Sequence, residues 1–227
     1  TRNWQFLGDL QPYMLNFLEN HDEQRFASDF FGKQAIRTMA PLYVSLYMNT
    51  APFMIYFGEE IGERGMDEEG FSGKDGRTTI FDWWSISSIQ RLRKVIKNKA
   101  YESMDVKTLV KAGMKKEEAE VFVRFAEATR LASSDLAVTK GTTYDLCYCN
   151  FSSDGFDKNR HFAFLRDYED HTILFVCNFS NREANIKLTI PEHAFEWMEI
   201  PVTEDLYPGK IIDVTVQPMD AVKIVLI

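Results

Sequence analysis

An α/β portion followed by an all-β portion is the fold class this sequence predicts, and three observations carry it. Two short apolar runs, MLNFL (14–18) and APFMIYF (51–57), bracket a stretch of helical periodicity. From about residue 140 the pattern changes to short alternating or apolar runs with turn residues between them. The chain has 227 residues, 45% of them hydrophobic and 14% aromatic, which is enough for one large core or two smaller ones.

The elements follow in order. MLNFL ends at polar residues and suits a buried strand. Beyond Asp29 and Gly32, Ile36, Met39, Ala40, Tyr43, Val44 and Tyr47 recur at helical spacing, and Pro41 within that run predicts a kink or a division. APFMIYF is too short for a stable helix, is rich in β-formers and is stopped by Gly58, so it predicts a second buried strand. Strand, helix, strand with both strands apolar is the pattern of a parallel sheet covered on both faces. Residues 62–80, with five glycines and many charges, predict a long irregular loop of a kind that is often functional. FDWW follows, then helices around Ile89–Ala100 and Lys116–Ala132, the second with Phe122, Phe125, Ala126 and Thr129 on one face. In the last part HFAFLRD, HTILFVCN, ANIKLTI, KIIDVTV and AVKIVLI read as strands, with YED (168–170) as a tight connection. Together they predict an antiparallel β-sandwich. The expected domains are 1–139 and 140–227, packed directly together, since no low-complexity linker or repeat separates them.

Charge narrows the function classes. There are 34 acidic against 26 basic residues, a formal net charge of -8, and the basic residues are scattered apart from Arg91 to Lys99. A nucleic-acid partner, which needs concentrated positive surface, is not expected. No long uncharged apolar segment predicts a membrane span, and no basic-then-apolar start predicts a signal peptide. Cys147, Cys149 and Cys177 are an odd number; the first two stand two apart on what reads as a strand, and all three read as small buried hydrophobes. The chain opens TRNWQFLGDLQ without an initiator methionine, which suits a piece of a longer protein, and no compartment is assigned.

The chemistry concentrates in FLENHDEQR (17–25). Ligands of a parallel α/β fold gather at the carboxyl ends of its strands, where Glu19 to Asp22 are expected to stand. A carboxylate beside an imidazole offers acceptor and donor together, suited to neighbouring hydroxyls of a sugar. The plainer reading stays open: Asn20 and Asp22 cap turns and His21 is a hydrogen-bonded loop residue. No metal is expected here, because His161, His171 and His193 all lie in the second domain. Trp83 and Trp84 read as a sugar-stacking pair or as packing residues. Glu59 and Glu60 diverge as neighbours must, so they do not make an acid/base dyad by themselves, and one of them is expected to be a buried structural carboxylate.

NFLENHDEQR resembles the fourth conserved stretch of the α-amylase superfamily of glycoside hydrolases, in which an apolar strand ends in Asn, His, Asp. APFMIYFGEE resembles that family's eighth barrel strand and GRTTIFDWW its following loop. RFAEATRLASSDLAVTKGTTYDL resembles the last barrel helix with the crossing into the C-terminal β-domain, and HFAFLRDYEDHTILFVCNFSN the core strands of that domain. Five segments in order cover nearly the whole chain. Asn49, Thr50 and Ala51 depart from the glycine that many members place before the strand proline, and residues 100–116 read as a local elaboration.

The resemblance implies the last two βα units of a (β/α)8 TIM barrel plus the β-domain. It implies that Asp22 stabilises the transition state, that His21 hydrogen-bonds the same sugar together with Asn20, and that Arg25 holds the site or a neighbouring sugar. The implied reaction is retaining hydrolysis or transfer at α-glucosidic bonds of starch-like glucans or malto-oligosaccharides, through an aspartate nucleophile and a glutamate acid/base. Those two residues belong to earlier barrel strands. A complete barrel typically needs about 250 residues, so the chain is expected to be the C-terminal part of a larger enzyme, partnered by the upstream barrel segment and inactive alone. An open strand edge and an uncovered apolar face predict self-association of the fragment. No cofactor is expected within the chain, and calcium, common in the family, would draw its ligands from upstream. The rival reading is a non-catalytic amylase-like scaffold or carbohydrate-binding protein.

Overall fold

The computed structural model describes residues 7–65, 75–78 and 86–227. Its contacts divide the chain into two units: Thr1–Asn16, Met39–Phe53 and Arg130–Ile227 form one, and Phe17–Thr38 with Met54–Thr129 the other.

The first apolar run makes only a two-residue strand, β1 (Asn16–Phe17), and the second β2 (Phe53–Met54); they pair as a two-stranded sheet, with the Asn16 N–H donating to the Pro52 carbonyl at 2.9 Å. Neither is the buried strand expected from its composition. Met14, Leu15, Phe17 and Ile55 are exposed, because no further strand flanks this sheet among the described residues. Between them runs α1 (Met39–Tyr47), preceded by a 3-10 turn over Ala35–Thr38. The expected division falls at that junction, and Pro41 sits in the first turn of α1, where its missing N–H has no helical partner to lose.

The unit built on Phe17–Thr38 and Met54–Thr129 owes its core to amphipathic helices. In α2 (Ser87–Lys97), Ile89, Leu92 and Val95 recur at three-residue spacing and are buried with Ile61, Leu109 and Met114. α3 (Val106–Lys111) occupies part of the expected local elaboration and is capped by Asp105, whose carboxylate accepts the Thr108 N–H. α4 (Lys116–Ser134) starts with Glu118 reaching back to the Lys115 N–H at 2.9 Å, while the same carboxylate takes two hydrogen bonds from the Arg91 Nε and Nη2.

The other unit continues through α5 (Leu136–Thr139), β3 (Thr142–Asp145), α6 (Cys147–Asn150), β4 (His161–Tyr168), β5 (His171–Asn178) and β6 (Ala184–Thr189), then α7 (Glu192–Met198), β7 (Ile211–Val216) and β8 (Ala221–Val225). β3-β4-β5-β8 form one antiparallel sheet and β6-β7 another. Alternation accounts for the packing: Leu165, Leu174 and Val176 from the first sheet and Ile186, Leu188, Val214 and Val216 from the second share one hydrophobic cluster. Each such side chain contributes about 1.5–3 kcal/mol on burial. On the opposite face of β4 and β5, Phe164 stacks on Phe175 at 5.1 Å, and Tyr47 of α1 stacks on Phe175 at 4.6 Å.

Cys147 and Cys149 are on α6 and not on a strand. The Asp145 carboxylate accepts the Cys147 N–H at 2.7 Å, an Asx turn that leads the chain into the helix. Both are partly exposed, Cys177 is buried, and all three are free thiols.

Candidate functional site

The site grows from the turn that follows β1. Asn20 turns its side-chain oxygen inward, accepting the Asp22 N–H at 2.8 Å and the Glu23 N–H at 2.9 Å, so the tip of the turn is fixed by its own first residue. His21 and Asp22 point outward, their side chains 57% and 77% exposed, with the His21 Nε2 3.3 Å from the Asp22 Oδ2.

Beneath the tip lies Arg25, with none of its surface exposed. Its Nη1 donates to the Glu19 Oε2 at 2.8 Å, its Nε to the Thr78 Oγ1 at 2.7 Å and its Nη2 to the Phe57 carbonyl at 2.7 Å. The guanidinium carbon lies 4.3 Å from the Tyr56 ring centroid and 5.0 Å from that of Phe57. The second oxygen of Glu19 accepts the Phe26 N–H at 2.6 Å, tying both ends of the turn to one carboxylate. Residues 75–78 clamp the same turn from outside: the Arg25 N–H donates to the Gly76 carbonyl at 2.7 Å, and the Arg77 Nε to the Asp22 carbonyl at 2.5 Å. Gly76 has φ +83°, and a Cβ there would stand 2.6 Å from the Ser28 Oγ.

Several carboxylates crowd this one guanidinium. Burial raises Glu19 above the usual range, opposed by the Arg25 charge and hydrogen bonds. Burial, reinforced by the charge of Glu19, pushes Glu59 up to about 8. Glu60 is also raised, again by burial. Glu59 is the buried carboxylate expected of the 59–60 pair: its Oε2 accepts the Tyr56 N–H at 3.1 Å and its Oε1 has no partner among the described residues. The Glu60 Oε2, Tyr56 hydroxyl and Ser28 Oγ are likewise buried without partners there. A carboxyl held neutral at pH 7 offers an O–H donor where a carboxylate has none, which relieves part of this crowding.

The structure thus brings Asn20, His21, Asp22 and Arg25 to one turn but divides them. His21 and Asp22 present polar atoms to solvent. Arg25 faces inward with its three nitrogens bonded to protein, and the Asn20 oxygen is used by the turn. Sequence reasoning missed Thr78 and Glu63; the latter is buried and bonded to Ser88 and, at 3.1 Å, to the Gly65 N–H. Thr78 has no local signal, since it meets Arg25 across 53 positions. Trp83 and Trp84 lie outside the described residues. Among the described residues no three His, Cys, Asp or Glu side chains group to hold a metal ion, and no helix is long and apolar enough to cross a membrane.

An α/β fold in which a strand-end turn displays an imidazole and a carboxylate above a buried ion pair defines the class. The α-amylase catalytic-domain model matches residues 3–128, more than half of the chain, and the chain belongs to that family. The crystal structure of AmyP in complex with maltose superposes with a TM-score of 0.60 at 14% identity, over 99% of this chain and 43% of that one. An α-amylase of Anoxybacillus gives 0.55 at 15% identity, over 99% and 40%. The α-amylase of Geobacillus thermoleovorans complexed with acarbose gives 0.54 at 14%, over 98% and 41%. At such identities the likeness is one of fold, and this chain spans less than half the length of each. No curated protein sequence matches the chain.

Proposed function

We propose that these residues form the C-terminal part of an α-amylase-family glycoside hydrolase, comprising the end of a (β/α)8 barrel and a β-sandwich domain, that acts on α-glucosidic bonds of starch-like glucans or malto-oligosaccharides. The observation that carries the reading is the exposed His21–Asp22 pair on a turn braced from within by Arg25 and from outside by Arg77. An oxocarbenium-like transition state develops positive charge on the sugar ring, and a carboxylate held beside its hydroxyls favours that state over the ground state. Asp22 supplies the carboxylate and His21 a hydrogen bond to the same sugar. Asn20 and Arg25 serve as positioning residues, because the turn and its buried face already engage them. Maltose and acarbose in the crystals of related folds support a glucan ligand.

Retaining hydrolysis needs a nucleophile and an acid/base about 5–5.5 Å apart across the scissile bond. In this reading both lie upstream of residue 1, so the 227-residue chain alone cleaves nothing, and any calcium of the whole enzyme is held there as well. The test is hydrolysis of a chromogenic α-maltooligosaccharide by the longer protein, with and without Asp22→Asn. The expected loss in kcat is about 10³-fold, or about 4 kcal/mol of transition-state stabilisation. Undiminished activity would leave the turn as a turn.

A second reading, a non-catalytic amylase-like scaffold or carbohydrate-binding protein, has one observation on its side. Asn20 caps the turn without any ligand, so the NHD sequence has a structural use of its own. Absence of activity in the longer protein on every α-glucan decides for it.

A further inference from the structure

A cavity of about 290 Å³ opens in the unit that carries β3–β8, and it shares no lining residue with the turn at 19–25. Small-ligand sites typically run from about 300 Å³ upward, so this one suits a ligand of one or two small rings. Its walls are mostly carbon, interrupted by polar groups of which Asp9, Asn49, Thr142, Thr143 and Arg166 matter here, with Trp197 as the aromatic member.

Trp197 leaves 54% of its surface exposed, although it is large and apolar. It does not stand alone: the Tyr144 ring lies 5.9 Å away, and the Tyr144 hydroxyl is held by the His193 Nδ1 at 3.2 Å and by the Tyr148 hydroxyl. The indole is therefore a supported platform with open surface. Arg166 is the opposite case, a cation with 1% of its surface exposed. Its Nε donates to the Ala137 carbonyl at 2.9 Å, its Nη2 to the Val138 carbonyl at 2.7 Å and its Nη1 to the Thr143 hydroxyl. All three acceptors are neutral, and the guanidinium has N–H donors to spare. Burial accordingly lowers Arg166 to about 10.

These groups select a ligand class. A buried cation and hydroxyl donors favour an oxygen-rich ligand, while the Asp9 carboxylate in the same lining opposes a full anion. An exposed indole favours a ligand with an apolar C–H face. A neutral sugar ring has both, hydroxyls at its edge and C–H groups on its face. We infer that this cavity is a second carbohydrate subsite, distinct from the turn at 19–25, in which one or two units of an α-glucan stack on Trp197 with their hydroxyls toward Thr142, Asn49 and the Arg166 end of the cavity. The choice of an α-glucan rests on the function proposed above.

The test is calorimetric titration of the 227-residue chain with maltotriose, using the unmodified chain and the variants Trp197→Ala, Trp197→Phe and Asp22→Asn. The unmodified chain is expected to bind at the cavity, and Asp22→Asn serves to tell that binding from any at the turn. Trp197→Ala is expected to lose at least about tenfold and Trp197→Phe, which keeps a ring, less than about threefold. Trp197 is exposed, and circular dichroism checks that both variants fold alike. Equal binding by Trp197→Ala overturns the second subsite, as does absence of binding by the unmodified chain. Binding abolished by Asp22→Asn but kept by Trp197→Ala also overturns it while supporting the proposed role of the turn. The kinetics of Asp22→Asn in the longer protein decide that role separately.

Discussion

Replacing Arg25 with methionine probes the buried half of the candidate site. The Arg25–Glu19 pair is 0% and 2% exposed, with an Nη1 to Oε2 distance of 2.8 Å. Removing one partner of such a pair leaves an uncompensated buried charge and typically costs about 3–5 kcal/mol. Arg25→Met also strips the Phe57 carbonyl of its Nη2 donor, which places the expected loss in the upper part of that range. With an m-value of about 2 kcal/mol/M in urea, the midpoint should fall by about 2–2.5 M. Glu19→Gln combined with Arg25→Met removes both charges, keeps an acceptor for the Phe26 N–H and should regain part of the loss, leaving about 1–3 kcal/mol for the orphaned carbonyl. A pH arm adds a sign. Without Arg25, burial of Glu19 is opposed only by the Phe26 N–H, its folded pKa rises further, and the variant's deficit grows as pH rises through the already raised pKa of Glu19 in the unmodified chain. Urea titrations followed by far-ultraviolet circular dichroism at pH 5 and pH 7.5 measure all of this. A deficit under about 1 kcal/mol at pH 7.5, or one equal at both pH values, would refute the claim that this ion pair holds the turn.

Two further outcomes follow from the same region. Glu59 in the folded chain holds its proton up to about 8, against an ordinary value of 4.5. Folding therefore takes up a proton between those values, and its stabilising part is fully present below 4.5 and lost as pH rises through 8. Glu59→Gln keeps an acceptor for the Tyr56 N–H and removes the titration, so its Tm should gain on the unmodified chain from pH 5 to about pH 8 and level off above it, by about 2–4 °C per kcal/mol; parallel Tm curves would sink the assignment. Tyr13, Met14, Leu15 and Phe17 are all exposed in or just before β1, and the isolated chain is expected to self-associate through apolar surface of this kind. Sedimentation at rising concentration measures it, and a clean monomer throughout would count against it.

What could be read from the sequence divides along a physical line. The strands of the second half were legible because alternation reports the very faces that pack: in β6, Ala184, Ile186 and Leu188 are buried while Asn185 and Lys187 are exposed. YED was legible as a turn, and there Glu169 adopts φ +54° between β4 and β5. β3 was not, because TTYD has one apolar side chain and becomes a strand by pairing Thr143 with Arg166 and Tyr144 with Leu165 of β4. The helix Glu192–Met198 follows Pro191 and spaces Ala194, Phe195 and Met198 along one buried side, a signal left unread between two strands. MLNFL and APFMIYF yielded short strands in the expected places, but their burial was misjudged. Composition shows that a run can be covered; only the neighbouring elements decide whether it is.

The candidate site splits in the same way, and the split bears on its chemistry. His21 and Asp22 could be singled out because their residue types carry the function proposed for them. Glu19, Arg25 and Thr78 act together only because 6, 32 and 53 positions of separation close onto one guanidinium through Glu19, Phe57 and Thr78. A carboxylate that is to act on a transition state gains most when its position is fixed before the ligand arrives, since ordering it afterwards would draw on the same interaction energy. The Asp22 side chain is among the more exposed near the turn, yet its backbone is held on both sides, by the Asn20 oxygen at its N–H and by the Arg77 guanidinium at its carbonyl. Burial of the acidic residues beneath supplies the rigidity, and the neutral state favoured for Glu59 limits the cost of crowding them around one cation. On this argument, loosening the buried pair should lower kcat of the longer protein without touching Asp22 itself, whereas changing Asp22 should lower kcat and leave the stability of the turn nearly unchanged.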